Sequence, residues 1–236
     1  ANFVEKIMKK VLISVIALLV STAYAGNNDI YITQTGTGLT LTIDQIGATN
    51  TVGTSATRAV LGGTSMTVDI DQIGSSNAII ASILQGNSSS WTYSNTGSSA
   101  TATFAVGATG DVANSDFDYT ASGGDSNVLV WTQGAAATAT GGNQDFVISG
   151  ASNNINATCE VVGCINNWDI TGNSNDIDTT QTGSADHQIT VDLTGSSMDI
   201  DIDQTDTAST NVANLLLQNS GGSGSSINID QCASGC

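Results

Sequence analysis

Proline is missing from all 236 residues of this chain, and basic side chains are nearly so: Lys6, Lys9, Lys10 and Arg58 are the complete set. Without proline, every backbone N–H can donate, as strands bonded on both sides require. The scarcity of lysine and arginine excludes nucleic acid as a partner, because binding to phosphates rests on displacing counterions with cationic side chains. It also disfavours docking on anionic lipid. No lysine follows Lys10, which removes P-loop and Schiff-base chemistry. His187, the single histidine, stands at the head of an expected strand in SADHQITV with no partner motif. It is read as an exposed strand-end residue. No G-x-S-x-G elbow gives the serines a nucleophile context. The chain is read as a non-enzyme.

Residues 8–25, MKKVLISVIALLVSTAYA, have a basic start, an apolar run at 11–20 and the small-x-small ending Ala23-Tyr24-Ala25. That is the pattern of a secretory signal, and the run is too short to span a bilayer as a helix. The reading is an upstream extension at 1–7, a signal peptide at 8–25 and one repeat domain at 26–236, secreted to the extracellular space or cell surface. Removing residues 1–25 takes away three lysines and Glu5, leaving 20 acids against Arg58, a formal charge of −19. Such a surface suits solubility, salt or divalent cations.

The chain repeats itself. MTVDIDQIGSSNAIIASILQ at 66–85 returns at 198–218 as MDIDIDQTDTASTNVANLLLQ. Aligning on glutamine gives the frame apolar-x-apolar-x-Gln-x-Gly-x-x-Asn, clearest at Gln45-Ile-Gly47 with Asn50 and Gln72-Ile-Gly74 with Asn77. A Gly-x-Ser-x element precedes several glutamines, at Gly63, Gly172 and Gly195; a similar one starts at Gly150. Between these marks apolar residues alternate with period two, which indicates strands with one buried face. Gly, Ser and Asn between them supply tight bends. Strand–turn–strand units of about 22–27 residues lie in the solenoid range. The expected fold is therefore an all-β β-solenoid, with 86–150 set apart as irregular because it barely shows the frame. Each unit alone cannot bury its apolar face, and stacked units can.

Identical amides stacked about 4.8 Å apart bond to one another and satisfy groups otherwise costly to bury. The expected ladder residues are Gln34, Gln45, Asn50, Gln72, Asn77, Gln85, Gln181, Gln204, Gln218 and Gln231, with turn glycines Gly36, Gly47, Gly74 and Gly183. QIGATN and QIGSSN, with Gln34 to Gln45 eleven residues apart, resemble the curlin repeat of bacterial curli fibres. Residues 30–85 carry the match best and 165–231 moderately; position 39 is Leu where the family has Asn. The resemblance implies a secreted β-solenoid subunit polymerising into amyloid-like extracellular fibres for biofilm and adhesion. It implies as partners other copies of the chain, a nucleator subunit and an outer-membrane export pore. The alternative is a monomeric cell-surface or virion-associated β-solenoid adhesin that binds a surface or glycan.

Two further features bear on chemistry. Asp199, Asp201 and Asp203 share i, i+2 spacing, which puts them on one strand face about 7 Å apart. They are the calcium candidates, although the G-G-x-G-x-D nonapeptide is absent. Apart from calcium no cofactor or metal is expected. The four cysteines form two local pairs, Cys159/Cys164 and Cys232/Cys236. An even count after a signal peptide suggests disulfides. Adjacent coils could also bring the two sets together crosswise.

Overall fold

The computed structural model describes residues 27–83, 85–107, 113–133, 143–160, 164–183, 187–206, 211–219 and 224–233. The segments read as extension and signal peptide lie outside them. The short early strands are β1 (Asn27–Ile30), β2 (Thr33–Thr35), β3 (Thr40–Ile46), β4 (Thr49–Val52) and β5 (Ala59–Gly62). Next come β6 (Thr67–Ile73), β7 (Ser76–Ile83), β8 (Ser90–Thr96) and β9 (Ser99–Val106). Long strands follow: β10 (Asp116–Gln133), β11 (Asn143–Cys159), β12 (Ile165–Gly183) and β13 (Gln188–Asp206). The last are β14 (Val212–Asn219) and β15 (Ser226–Ala233). No helix occurs among the described residues.

Every pairing is parallel, and the strands form two stacks. The front stack runs β3, β6, β8, the first halves of β10 to β13, and β14. The back stack runs β1 with β2, β4 with β5, β7, β9, the second halves of β10 to β13, and β15. Parallel neighbours cannot be joined by a hairpin, and here the connection is the other half of the coil. The expected β-solenoid is what the chain forms. Ladder partners in successive coils lie 22 to 27 residues apart.

The two stacks face each other across the core. Alternation does the sorting: along β3 the burial pattern is strict, with Leu41, Ile43 and Gln45 inward and Thr42 and Asp44 outward. Early and late coils are filled by aliphatic side chains such as Ile70, Ile79, Ile177 and Ile200, all at 1% exposure or less. The middle coils use rings instead. Tyr93 on the front stack lies 4.7 Å from Phe104 on the back, Phe117 lies 4.3 Å from Trp131, and Phe146 stacks on Trp168 at 4.6 Å. Small residues accompany them: the back strand of the coil that carries Trp91 and Tyr93 buries Ala100 and Ala102 beside Phe104. Residues 86–150 thus continue both stacks through β8, β9, β10 and β11 without the full glutamine frame. Their core is aromatic, and the frame survives there only in part, with Asn95 in the glutamine column, Ala100 in the asparagine column, and Asn127 and Gln133 keeping their amides.

The two corners differ. Front-to-back, the chain turns on a column of glycines: Gly47, Gly74, Gly97, Gly124, Gly150, Gly172 and Gly195. At Gly74 a left-handed backbone is not the reason, since a Cβ there would collide with the carbonyl oxygen of Gly47 in the coil below. The stack passes too close for any side chain. Extra length enters elsewhere, at the back-to-front corner and in the 53–58 protrusion between β4 and β5.

Candidate functional site: amide ladders and open ends

Three residues past five of the seven corner glycines (Gly47, Gly74, Gly124, Gly150 and Gly172) the chain places an asparagine, and these form the longest ladder. Asn28 Nδ2 donates to Asn50 Oδ1 at 3.1 Å, and Asn50 Nδ2 to Asn77 Oδ1 at 3.1 Å. After Ala100 interrupts the column, Asn127 donates to Asn153 at 3.0 Å and Asn153 to Asn175 at 2.8 Å. Each amide also ties down a corner: Asn50 Nδ2 reaches the Ile73 carbonyl at 2.9 Å, and Asn77 Nδ2 the Thr96 carbonyl at 3.2 Å. A buried amide with these partners satisfies carbonyls that strand pairing leaves free.

The glutamine ladder is in two pieces on opposite stacks. On the front, Gln72 Nε2 donates to Gln45 Oε1 at 2.7 Å, and Gln45 Nε2 to the Asn28 carbonyl at 2.8 Å. The column then passes to Asn95, whose shorter side chain reaches the Tyr119 hydroxyl at 3.4 Å, and to Ala121. Burial pushes the Tyr119 hydroxyl up to about 12, the Asn95 bond pulling the other way, so it stays a neutral partner. On the back, the column reads Gln133, Cys159, Gln181, Gln204, Gln231. Gln204 Nε2 donates to Gln181 Oε1 at 2.7 Å, and Gln231 Nε2 to Gln204 Oε1 at 2.6 Å. Glutamine donors therefore sit on the later coil and asparagine donors on the earlier one.

This explains the repeated stretch. Met66 leads into β6 on the front stack, whereas Met198 to Gln204 lies on the back half of β13. The same residues are written half a coil out of phase. The expected ladder residues divide accordingly. Gln45, Asn50, Gln72, Asn77, Gln181 and Gln204 are buried in ladders, and the exposed Gln231 joins from the last coil. Gln34 is half-buried in the back column but stacks on Leu61. Gln85 and Gln218 are corrections to the expectation. Gln85 is exposed beyond the end of β7, its carbonyl accepting from Gly63 N at 3.1 Å. Gln218 is exposed on β14 opposite Thr194, off the glutamine column.

Of the turn glycines, Gly47 and Gly74 belong to the tight corner, Gly36 has φ +155 at the other corner, and Gly183 ends β12 opposite Asp206. Asn95, Asn127, Asn153, Asn175 and Gln133 were not expected in ladders. For Asn127, Asn153 and Asn175 the signal was Gly-x-x-Asn. The element at 172–175 reads as a lead-in to glutamine and that at 150–153 as a similar one with no motif glutamine after it; neither reads as a frame of its own.

Asp199, Asp201 and Asp203 project from the outer surface of the back stack, above Asp176 and Asp178 and below Asp230. Partial burial, then Asp201, Asp230 and Asp178, hold the Asp203 carboxyl above its ordinary pKa. Asp69 is raised by burial, then Asp71 and Asp44, and Asp118 by burial, then Asp145 and Asp116. Among the described residues no three such groups converge as a metal site. Cys159 and Cys164 are bonded to each other with Cα atoms 6.5 Å apart, so these two do not pair crosswise. Cys232 is also disulfide-bonded; Cys236 lies outside the described residues. His187 is buried, not exposed: Cys164 N donates to its Nδ1 at 3.5 Å, and its carbonyl accepts from Val212 N.

Among the described residues the stack has open edges at both ends. At one end β1, β2 and β3 pair on one side only; at the other β14 and β15 do. There the inward residues Ile227 and Ile229 are 45% and 40% exposed, although their column mates Ile200 and Ile202 are buried. No family model matches the chain, and neither curated proteins nor solved structures give a match.

Proposed function

We propose that the chain is a structural subunit that stacks end to end into extracellular fibres of the curli kind, serving adhesion and biofilm. The observation that carries this reading is the pair of edge sets that pair on one side only among the described residues, with the core positions Ile227 and Ile229 left uncovered at the last end. Natural sheets blunt such edges unless another strand is meant to add there. The core of stacked amides and buried apolar columns is the kind of arrangement that gives cross-β assemblies their persistence. Secretion follows from the signal-like residues 8–25.

The test is electron microscopy and X-ray diffraction of chain purified without residues 1–25, followed over days. Expected are unbranched fibres with a meridional spacing of about 4.8 Å. A stable monomer under those conditions would favour a monomeric adhesin instead. Its shallow cleft along Thr171, Gly172 and Thr194 is where an extended glycan would be sought.

A further inference from the structure

We infer that the ends recognise a second copy of this chain head to tail in one register, with Ile227 on Ile30, Ile229 on Ile32 and Gln231 on Gln34. This rests on the fibre reading and specifies its junction. The register comes from the columns. Following pairings through the back stack, Ile30 shares a column with Val52, Ile79 and, at the far end, Ile227. Gln34 likewise shares its column with Gln231. The last back strand reads Ile-Asn-Ile-Asp-Gln and the first reads Ile-Tyr-Ile-Thr-Gln. A next copy docked as one more coil would set like on like at all three inward positions. Inside the chain Gln34 stacks on Leu61, so its amide has a glutamine neighbour only across such a junction.

Polarity agrees. Within the back ladder the later coil donates: Gln231 Nε2 to Gln204 Oε1. The last coil therefore presents Gln231 Oε1, the acceptor that Gln34 Nε2 of an incoming copy needs. A slip of two residues would set glutamine against isoleucine and leave a buried amide unpaired, which is disfavoured.

Charge agrees too. Inside the chain aspartate lies against aspartate at Asp44/Asp71, Asp178/Asp201 and Asp203/Asp230. At the inferred junction Asp29 meets Ser226, Asp230 meets Thr33 and Asp44 meets Leu216, so no carboxylate faces another. Arg58, the only cation among the described residues, projects near the first end of the back stack. Asp201, Asp203 and Asp230 gather near its last end. Joining two last ends would crowd those aspartates; head-to-tail joining brings Arg58 towards them.

The experiment is solid-state NMR on fibres grown from an equal mixture of 15N-labelled and 13C-labelled chains. Expected are intermolecular contacts between the Gln34 side-chain nitrogen and the Gln231 carboxamide carbon. Fibres whose intermolecular contacts fall elsewhere overturn the register while leaving the fibre reading standing; no fibres at all overturns both. An independent arm adds Ile229→Lys chain in small amounts to growing wild-type fibres. Its intact first edge should dock and its altered last edge should then stop growth at one fibre end, the other end still elongating. Arrest at both ends, or at neither, contradicts head-to-tail joining.

Discussion

Gln72 shows how much one amide holds. It is fully buried, donates to Gln45 across coils and to the Ala78 carbonyl across the corner at 3.1 Å. Gln72→Ala strips Gln45 Oε1 of its donor and should lower stability by about 1–3 kcal/mol. Gln85→Ala removes an exposed side chain and should stay within about 0.5 kcal/mol. Urea unfolding of the two variants measures the difference; equal midpoints would show that the ladder contributes nothing. Gly74→Ala forces a methyl onto the Gly47 carbonyl and should cost about 1–3 kcal/mol, as overpacking does.

The aspartates reverse the usual acid response. Asp69, Asp118 and Asp203 have raised pKa values in the fold, so the folded state holds protons that the unfolded state has released. Their contribution to stability therefore falls as pH rises through the raised values and grows as pH descends towards the ordinary 3.8. The melting temperature should rise, not fall, between pH 7 and about pH 4. A steady decline over that window would mean that these carboxylates are not held up by burial and their acidic neighbours.

At the scale of the strand, much was legible and one thing was not. Period-two alternation placed the inward residues of β3 and β6, and the glutamine frame placed Gln45, Gln72, Asn50 and Asn77. What sequence could not reveal is which stack a strand joins. Both stacks use the same alternation, so a half-coil shift leaves the pattern unchanged while carrying Gln204 to the side opposite Gln72. Gln85 and Gln218 misled for a related reason, since a glutamine closing an apolar run looks the same whether it ends in a ladder or past the end of a strand. The aromatic coils were overlooked because Trp91 and Phe117 stand in the column of Leu41 and Val68, and Trp131 in that of Ala81 and Ala157, off the glutamine frame. All three tryptophans of the chain, Trp91, Trp131 and Trp168, are at most 2% exposed. Fluorescence should thus be blue-shifted and resist iodide; quenching of a third of the emission would put one tryptophan outside the core. The Cys159–Cys164 loop is short, so opening it with Cys159→Ser and Cys164→Ser together should cost about 2 kcal/mol. Peptide mapping should recover that link in native protein.

For the whole molecule, net charge governs approach. The full chain carries a formal −17, and excluding residues 1–25 makes it −19. Two such bodies repel over the Debye length, about 30 Å at 0.01 M salt and about 8 Å at 0.15 M. If the chain assembles, the lag in light scattering should shorten as salt rises at fixed protein. A lag that stays flat or lengthens would show that charge does not limit encounter.

Because the twin stretches sit on opposite stacks, one is carried onto the other by a screw and not by a simple shift along the axis. Asp69 and Asp71 face outward on one side, and their counterparts Asp201 and Asp203 face outward on the other. A fibre built from such units has no blank side. Any receptor, antibody or mineral surface that reads the paired carboxylates of Asp-Ile-Asp-Gln would find them on both flanks, so one filament could bridge two bodies between which it lies.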